Sequence, residues 1–507
     1  MESSGKSRLG TQLFVLLYAL LLLRTAWLCD DAYTTFRTVE NVFQGYGPTY
    51  NPGERVQTFT HPLWMLVLCA GRCVSSDPYR VAMCLSLGLS LITVLLLVRA
   101  PSVTPVGAML GVGILSLSRA FMDFSTSGLE NPLTHLLLVL FLLSATNPIR
   151  SQGTQNRAGL WVLAGLSILN RMDIALLFLP WMAHTAWEGV RARRARGLLP
   201  ALVGLSPFIA WEVFALVYYG FPFPNTAYAK LSSGLPWYAL ARQGVGYLAN
   251  SVAVDPLTPL TIVAASIFAL ESGDRHSRVS VAGIVLYLGY LVSVGGDFMS
   301  GRFLAAPLLI GVWIWMRHPT VLQQPLLAAG VVGALGFLAQ PNVFSSAEYL
   351  NGKGALESFD VSNERAFYYP STGLFRKRDE FENHPWVKAG KDARAKHDTP
   401  QIVLAVGFDG FYAGPHVHVV DLYGLVDPLL ARLPIPAGAS WRTGHYERQM
   451  PAGYLETLSR GRNLIRDRKV AKLYRLLSLV VRGPIFSSRR FRALFEMNMR
   501  SFADFRS

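Results

Sequence analysis

Charge is scarce in this chain. Only 16% of its 507 residues are Asp, Glu, Lys or Arg, against about a quarter in soluble domains. Cysteine is scarcer still, with Cys29, Cys69, Cys73 and Cys84 as the full set. Cys69 and Cys73 stand four apart on an apolar stretch, an awkward geometry for a bridge, so buried free thiols are expected. No zinc-ligand spacing, P-loop or Rossmann fingerprint occurs, which removes the commonest nucleotide and structural-metal readings. What is abundant is apolar: 51% of residues are hydrophobic, and the mean hydropathy is +0.31. The formal net charge of +15 would suggest nucleic acid in a soluble protein. Here many Lys and Arg lie in short loops between apolar runs, where they set membrane orientation instead. The partner is the lipid bilayer, with no nucleic acid.

Apolar runs long enough to span recur from Leu9 to Ala339. The first, 11–28, is longer than a signal core and lacks a small-x-small exit, so it is expected as an uncleaved helix. Candidate spans are 10–28, 78–98, 104–124, 129–146, 159–170, 172–189, 198–219, 257–270, 279–296, 301–316 and 322–340. A span needs ~20 mostly apolar residues. The stretch 61–74 is short, opens on His-Pro, and is expected to dip and return rather than cross. With Lys6 and Arg8 inside, alternation then puts Arg99, Arg150 with Arg157, the 191–196 RARRAR run, Arg275 with Arg278, and Arg317 inside. Arg72 and Arg80 are exceptions. Counting 61–74 as a span would put RARRAR outside, against the positive-inside rule. The expected fold class is therefore an α-helical polytopic membrane protein with about eleven transmembrane helices. Residues 1–340 form the transmembrane domain. Residues 341–507 form a C-terminal extracytoplasmic α/β domain in a bacterial plasma (inner) membrane.

On that topology the unusual polar motifs gather at the outer boundary. Asp30-Asp31-Ala32-Tyr33 follows the first helix. Tyr33 to Phe43 has helical apolar spacing and reads as a short helix on the membrane surface. Ser127-Gly128-Leu129-Glu130-Asn131, Asn170-Arg171-Met172-Asp173, Phe221 to Lys230 (FPFPNTAYAK, with Asn225), and Gly295-Gly296-Asp297-Phe298 with Arg302 lie on the same side. Each has a plain structural reading alone. Glu130 reads as a helix cap or solvated loop residue, Arg171 with Asp173 as a local ion pair, and FPFPN as a helix stop. Their shared side is what those readings do not account for, because ionisable groups at a membrane boundary are costly unless paired or hydrated. A lipid-linked sugar presents its phosphate at that depth. Its transfer needs a carboxylate to take the acceptor proton and cations to hold the phosphate leaving group. Asp30 or Asp31 suits the first task. Arg37, His61, Arg171, Lys230 and Arg302 suit the second, with Asp173, Asn225 and Asp297 beside them. Tyr33, Phe36, Tyr46, Tyr50, Trp64 and Tyr228 are sugar platforms or interface anchors.

The C-terminal region reads as mixed α/β. Strands are expected at Gln401 to Phe408 and Val417 to Asp421, with turns at Asp409-Gly410 and Gly414-Pro415. Asp421, His445, Glu447 and Arg448 are candidate acceptor-binding groups, against a reading as caps and surface pairs. His416 and His418 alternate on the second strand, but two His without a third ligand are weak grounds for a metal, and none is assigned. Whether a divalent cation assists is left open. The basic tail from Arg460 (LYRLLSLVV) either lies on anionic lipid or packs on the domain.

The stretches DDAYTTFRTVENVFQGYGPTYNPGERVQTFTHPLW, STSGLENPL, LNRMD, YYGFPFPNTAYAK, GGDFMSGRFLAAP, GFDGFYAGPHVHVVDLYGLVDPLLARLP and WRTGHYERQMPAGYLE span nearly the whole chain. In them it resembles the GT-C class of membrane glycosyltransferases, above all actinobacterial terminal β-(1→2)-arabinofuranosyltransferases and the related membrane family labelled for flagellar motor control. The resemblance implies a decaprenyl-phosphoryl-arabinofuranose donor, an extracellular arabinan acceptor, and a catalytic Asp in the first outer loop, matching Asp30 and Asp31. The function expected is inverting transfer of a sugar from polyprenyl phosphate to a cell-wall glycan. A non-catalytic assembly or motility factor on the same scaffold is the alternative. A transporter is disfavoured by few charges within spans and no two-fold repeat of helix patterns.

Overall fold

The computed structural model describes residues 2–146, 154–231, 233–348, 356–397, 399–403 and 405–499, without side chains at 2–7, 154–157 and 193–195. Lys6, Arg150, Arg157, Arg193, Arg194 and Leu404, which figure in the expectations above, lie outside the described residues or side chains.

Helices dominate. In chain order they are α1 (Glu2–Thr25), α2 (Asp30–Phe43), α3 (Pro62–Arg72), α4 (Pro78–Val98), α5 (Pro105–Leu117), α6 (Arg119–Asp123), α7 (Asn131–Ala145), α8 (Thr154–Asn170), α9 (Ala175–Arg193), α10 (Leu199–Tyr218), α11 (Asn225–Leu231) and α12 (Trp237–Val254). There follow α13 (Leu257–Glu271), α14 (Arg275–Ser293), α15 (Ala305–Trp315), α16 (Pro319–Gln323), α17 (Pro325–Leu338), α18 (Glu364–Thr372), α19 (Arg378–Glu382) and α20 (Pro385–Lys396). The strands β1 (Gln401–Val403) and β2 (Val419–Asp421) flank α21 (Phe408–Ala413), and α22 (Tyr454–Arg460), α23 (Arg468–Arg482) and α24 (Ser488–Met499) close the chain. Contacts divide the chain into two compact units that do not follow a single cut. Unit 1 comprises Met1–Cys29, Ser75–Phe208 and Pro236–Arg376; unit 2 comprises Asp30–Val74, Ile209–Leu235 and Lys377–Ser507.

Among the described residues, three helical runs are long and apolar enough to cross a membrane: Arg8–Thr25, Pro78–Val98 and Arg196–Tyr218. The pair α12–α13, bent by 105°, makes a fourth if it is one broken span. The expected spans 104–124, 129–146, 159–170, 301–316 and 322–340 fall on shorter apolar helices, whereas those at 172–189 and 279–296 fall on α9 and α14, of 19 residues each. Several break for local reasons. The 104–124 run stops at Ser118, whose extended backbone (ψ 120°) ends α5 and whose hydroxyl accepts from Phe121 N at 3.1 Å to cap α6. Asp255 does the same between α12 and α13, its carboxylate accepting from Thr258 N at 3.4 Å. In unit 1, α9 and α14 approach at backbone distance, because a Cβ on Gly283 would lie 2.3 Å from Leu177 O. Trp181 Nε1 donates to Ser280 Oγ at 3.0 Å across the same pair.

Unit 2 departs further from expectation. The helix expected to rest on the membrane surface starts at Asp30, and its apolar face is covered by protein. The Tyr33 ring packs on Phe408 (4.7 Å), Phe411 (5.4 Å) and Phe381 (5.7 Å). The expected strands shrink to a parallel pair, Gln401 opposite Val419 and Val403 opposite Asp421. Asp409-Gly410 is no turn but the first turn of α21. The reason lies far along the chain: the Asp30 carboxylate accepts from Gly407 N at 3.0 Å and Phe408 N at 2.6 Å, and so caps α21. Local reading could not supply that cap. A Cβ on Gly407 would lie 1.9 Å from Asp30 O, so only glycine permits this approach. The α23 part of the tail, which holds LYRLLSLVV, follows the packing reading. On α23, Leu473, Tyr474, Leu477, Val480 and Val481 join Val56, Phe221, Leu430 and Tyr454 in one apolar core. The cysteines are free thiols; Cys29 is buried, but Cys73 and Cys84 are exposed, contrary to the expected burial.

Candidate active site

The expected site residues fall into two groups, one in each unit. In unit 1 the loops after α8 and before α15 bring Arg171, Asp173, Asp297 and Arg302 together around Glu130. Glu130 makes no cap bond at the start of α7 and is 0% exposed, so its reading as a cap or solvated residue is corrected. Arg302 Nη2 donates to its two oxygens at 2.9 and 3.3 Å, and Arg171 Nη1 reaches Oε1 at 3.4 Å. Arg171 also forks onto Asp173 (2.7 and 2.8 Å), as the ion-pair reading had it. Tyr287 OH donates to the same carboxylate at 3.2 Å. Arg302 Nη1 lies 3.7 Å from Asp297 Oδ2. Three carboxylates thus share two guanidiniums, a net negative cluster whose cations are already engaged by protein.

In unit 2 the acidic pair divides its labour. Asp30 is buried, and both of its oxygens accept backbone N–H groups. Burial, with the Asp31 charge beside it, pushes its carboxyl up to about 7, against the opposing pull of the Phe408 N–H. Asp31, one residue on in the same first turn, is half-buried. Arg37 is turned inward. It donates to Tyr50 O (2.9 Å), Val417 O (2.8 Å) and Gly410 O, with its guanidinium 4.4 Å over the Tyr50 ring. His61 is buried and bonds Thr35 Oγ1 at 2.8 Å, tying α3 to α2. Asn225 Nδ2 donates to Gly424 O (2.9 Å) and Asp427 O (3.1 Å). Its Oδ1 accepts from Arg432 Nη1 at 3.0 Å. Arg432, which the sequence did not single out, lies between the Phe221 and Tyr228 rings at 4.1 and 4.6 Å.

Of the four acceptor candidates, two are interior. Asp421 is 0% exposed and accepts from Leu425 N (2.7 Å), Val426 N (2.9 Å) and Asp427 N (3.1 Å), capping the turn after β2. Arg448 is buried and donates to Tyr423 O at 2.8 Å and to Tyr446 O and Ala229 O. Glu447 is exposed. His445 meets Arg442 Nη2 at 3.1 Å, and its pKa is pushed down to about 4 by burial, then by the Arg442 and Lys230 charges. Lys230 is exposed. A cationic surface of Lys230 and Arg442 around His445 therefore exists, and Arg442 is the member that sequence reasoning missed. His416 and His418 share no strand, since β2 starts at Val419. Among the described residues no group of three or more His, Cys, Asp or Glu could hold a metal ion.

Several of these carboxyls titrate upward together. Burial raises Asp427 to about 7 and Asp409 to about 6, as it does Asp30. The folded chain then keeps protons that the unfolded chain gives up between about pH 4 and 7, so this contribution to stability is present below pH 4 and lost on rising to 7. Melting of the solubilised protein should fall in temperature from pH 5 to 7.5, and Asp427→Asn should flatten the slope.

No sequence-family model matches the chain. It is 31% identical over 512 aligned residues to a terminal β-(1→2)-arabinofuranosyltransferase from Mycobacterium tuberculosis, covering 80% of this chain and 78% of that protein. A Corynebacterium glutamicum protein of the same name is 30% identical over 340 residues, 56% of this chain and 46% of that one. Crystal structures of ArnT from Cupriavidus metallidurans superpose at 14% identity and TM-score 0.48 in the apo state, covering 86% of this chain and 90% of that one. With undecaprenyl phosphate bound the figures are 15% and 0.45, covering 82% and 86%.

Proposed function

The chain belongs to the terminal β-(1→2)-arabinofuranosyltransferase family of membrane glycosyltransferases, and from that premise we propose that it moves arabinofuranose from a polyprenyl-phosphate donor to a cell-wall arabinan at the outer face of the plasma membrane. The observation that carries this is the 31% identity sustained over 80% of this chain and 78% of the relative. Apolar helices such as Arg8–Thr25 and Pro78–Val98 suit a protein whose donor keeps its tail in the bilayer. Residues 341–507 belong to the outer side in this reading.

Asp31 is the proposed base. It takes the proton of the acceptor hydroxyl while that oxygen bonds to the anomeric carbon. The bond from that carbon to the phosphate oxygen breaks, and polyprenyl phosphate leaves with the electron pair. Asp30, engaged by two N–H groups, holds the first turn of α2 in place and so positions Asp31. Lys230, with Arg442 beside His445, is the proposed phosphate site, because the Arg442 and Lys230 charges converge on His445 and Lys230 is exposed. Arg448 ties the chain at Ala229 next to it, and Arg37 holds the α2 region through Tyr50 and Val417. Arg171, Asp173, Asp297 and Arg302 serve as a brace around Glu130, and Glu447 remains the proposed acceptor contact.

The test is transfer. Membranes carrying the chain, given radiolabelled polyprenyl-phosphoryl arabinofuranose and an arabinan acceptor, should yield terminal β-(1→2) product. Failure with every polyprenyl-phosphate pentose would leave the assembly-factor reading instead. Anomeric configuration supplies a second check. One displacement inverts the reacting carbon, so a β product requires an α-linked phosphate; a β-linked donor giving a β product would replace it with a two-step route.

A further inference from the structure

α24 turns a row of large apolar side chains away from the fold. Phe491, Phe495 and Met499 recur at every fourth residue, which is one helical face, and are 43%, 66% and 70% exposed. Phe486, just ahead of the helix, is 85% exposed. The opposite face holds the buried Arg490, Ala493 and Met497. Contiguous exposed apolar surface of this kind marks a contact.

The neighbours indicate which contact. Arg490 Nη1 donates to Val217 O at 2.8 Å and its Nη2 to Tyr218 O at 2.9 Å. Asn498 Nδ2 donates to Gly220 O at 2.8 Å. These carbonyls lie at and just beyond the end of α10, whose run Arg196–Tyr218 is apolar enough to cross a membrane. Val213 and Phe214, a turn earlier, are 56% and 38% exposed. α24 is therefore fastened to the terminus of a candidate span, at the depth where aromatic and basic side chains collect. Arg489 and Arg492 are exposed beside the apolar row, and Glu496 is the one acid in the helix. That balance suits anionic headgroups. The apolar face of α23 is already committed to the core, so of these two helices it is α24 that has a face to offer.

We propose that α24 is an interfacial anchor: Phe491, Phe495 and Met499 sit among lipid acyl chains while Arg489 and Arg492 meet anionic phosphates. Unit 2 is then held to the bilayer by α24 as well as by α10. This does not depend on the transferase reading, since it needs only a membrane.

The full-length protein in phosphatidylcholine nanodiscs, with or without phosphatidylglycerol, gives the test. With Cys69, Cys73 and Cys84 changed to Ser, Phe495→Cys carries an environment-sensitive fluorophore, and Lys396→Cys on exposed α20 serves as control. Both variants are compared with the parent by size-exclusion profile. A lipid spin-labelled near the headgroup should quench the residue-495 label by about two-fold or more, as expected for a shallow interfacial helix, and leave the control unchanged. Quenching should be stronger with phosphatidylglycerol and lose that increment in Arg489→Glu/Arg492→Glu. Equal quenching at 495 and 396 would overturn the anchor, as would a shielded label that no lipid quenches, which would mean a protein partner. Quenching indifferent to phosphatidylglycerol would overturn the anionic-lipid assignment.

Discussion

Asp31→Asn should lower sugar transfer by about 10²- to 10⁴-fold, the range expected when a positioned general base is lost. Asparagine keeps the size of the side chain and removes its capacity to take a proton. Asp31 is half-buried in the first turn of α2, so the folded yield and melting temperature should stay near those of the parent. Asp30→Asn should behave differently. Its carboxylate accepts from Gly407 N and Phe408 N within a buried setting. An amide offers one oxygen and turns its NH2 toward the other N–H, at a cost of about 1–3 kcal/mol for the unsatisfied group. Melting should therefore drop in Asp30→Asn and not in Asp31→Asn. If Asp31→Asn retained full transfer while well-folded Asp30→Asn lost it, the two roles would be exchanged. If both variants and the double variant kept activity, neither residue would be the base.

Arg302→Ala should destabilise the protein by about 3–5 kcal/mol, because it strips a buried carboxylate of its nearest cation. Glu130 is 0% exposed and takes 2.9 and 3.3 Å contacts from Arg302. Its other cation, Arg171, is 3.4 Å away and already forked onto Asp173. Adding Glu130→Gln to Arg302→Ala should recover part of the loss, since it removes the stranded charge. A double-mutant cycle read by thermal melting in detergent measures that coupling. Additive effects would mean that Glu130 and Arg302 do not depend on each other, and the brace assigned to them would fail.

The parts of this molecule that the sequence made legible are those fixed by short-range patterns. The apolar runs 78–98 and 198–219 are helices, the first capped by Asp77, whose Oδ1 accepts from Tyr79 N at 3.1 Å. The family resemblance was legible because long motifs such as the one from Gly407 to Pro434 are specific. What could not be read, outside the local Arg171–Asp173 pair, was the partner of a charge. Arg37 and Arg448 looked like ligand-binding cations, yet their donors reach backbone carbonyls hundreds of residues away, at Val417 for the first and Ala229 for the second. A carbonyl carries no sequence signature, so such a pairing leaves no trace in composition or spacing. Asp421 was a candidate acceptor contact set against a reading as a cap, and the structure has the cap: its three N–H partners come from the turn that follows it. Arg442 lies in the WRTGHYERQMPAGYLE stretch but was not singled out there, and it emerged from its place beside His445.

The interleaving of the two units has a consequence for how the chain is made. The carboxylate of Asp30 is 377 residues upstream of the Gly407 amide that completes its setting. At ordinary elongation speeds the ribosome needs roughly 20–75 s to cover that distance. Throughout that interval the Gly407 and Phe408 N–H groups and the Phe408 ring that pack on Asp30 and Tyr33 are not yet made. The cap on α21 therefore forms only near the end of biosynthesis.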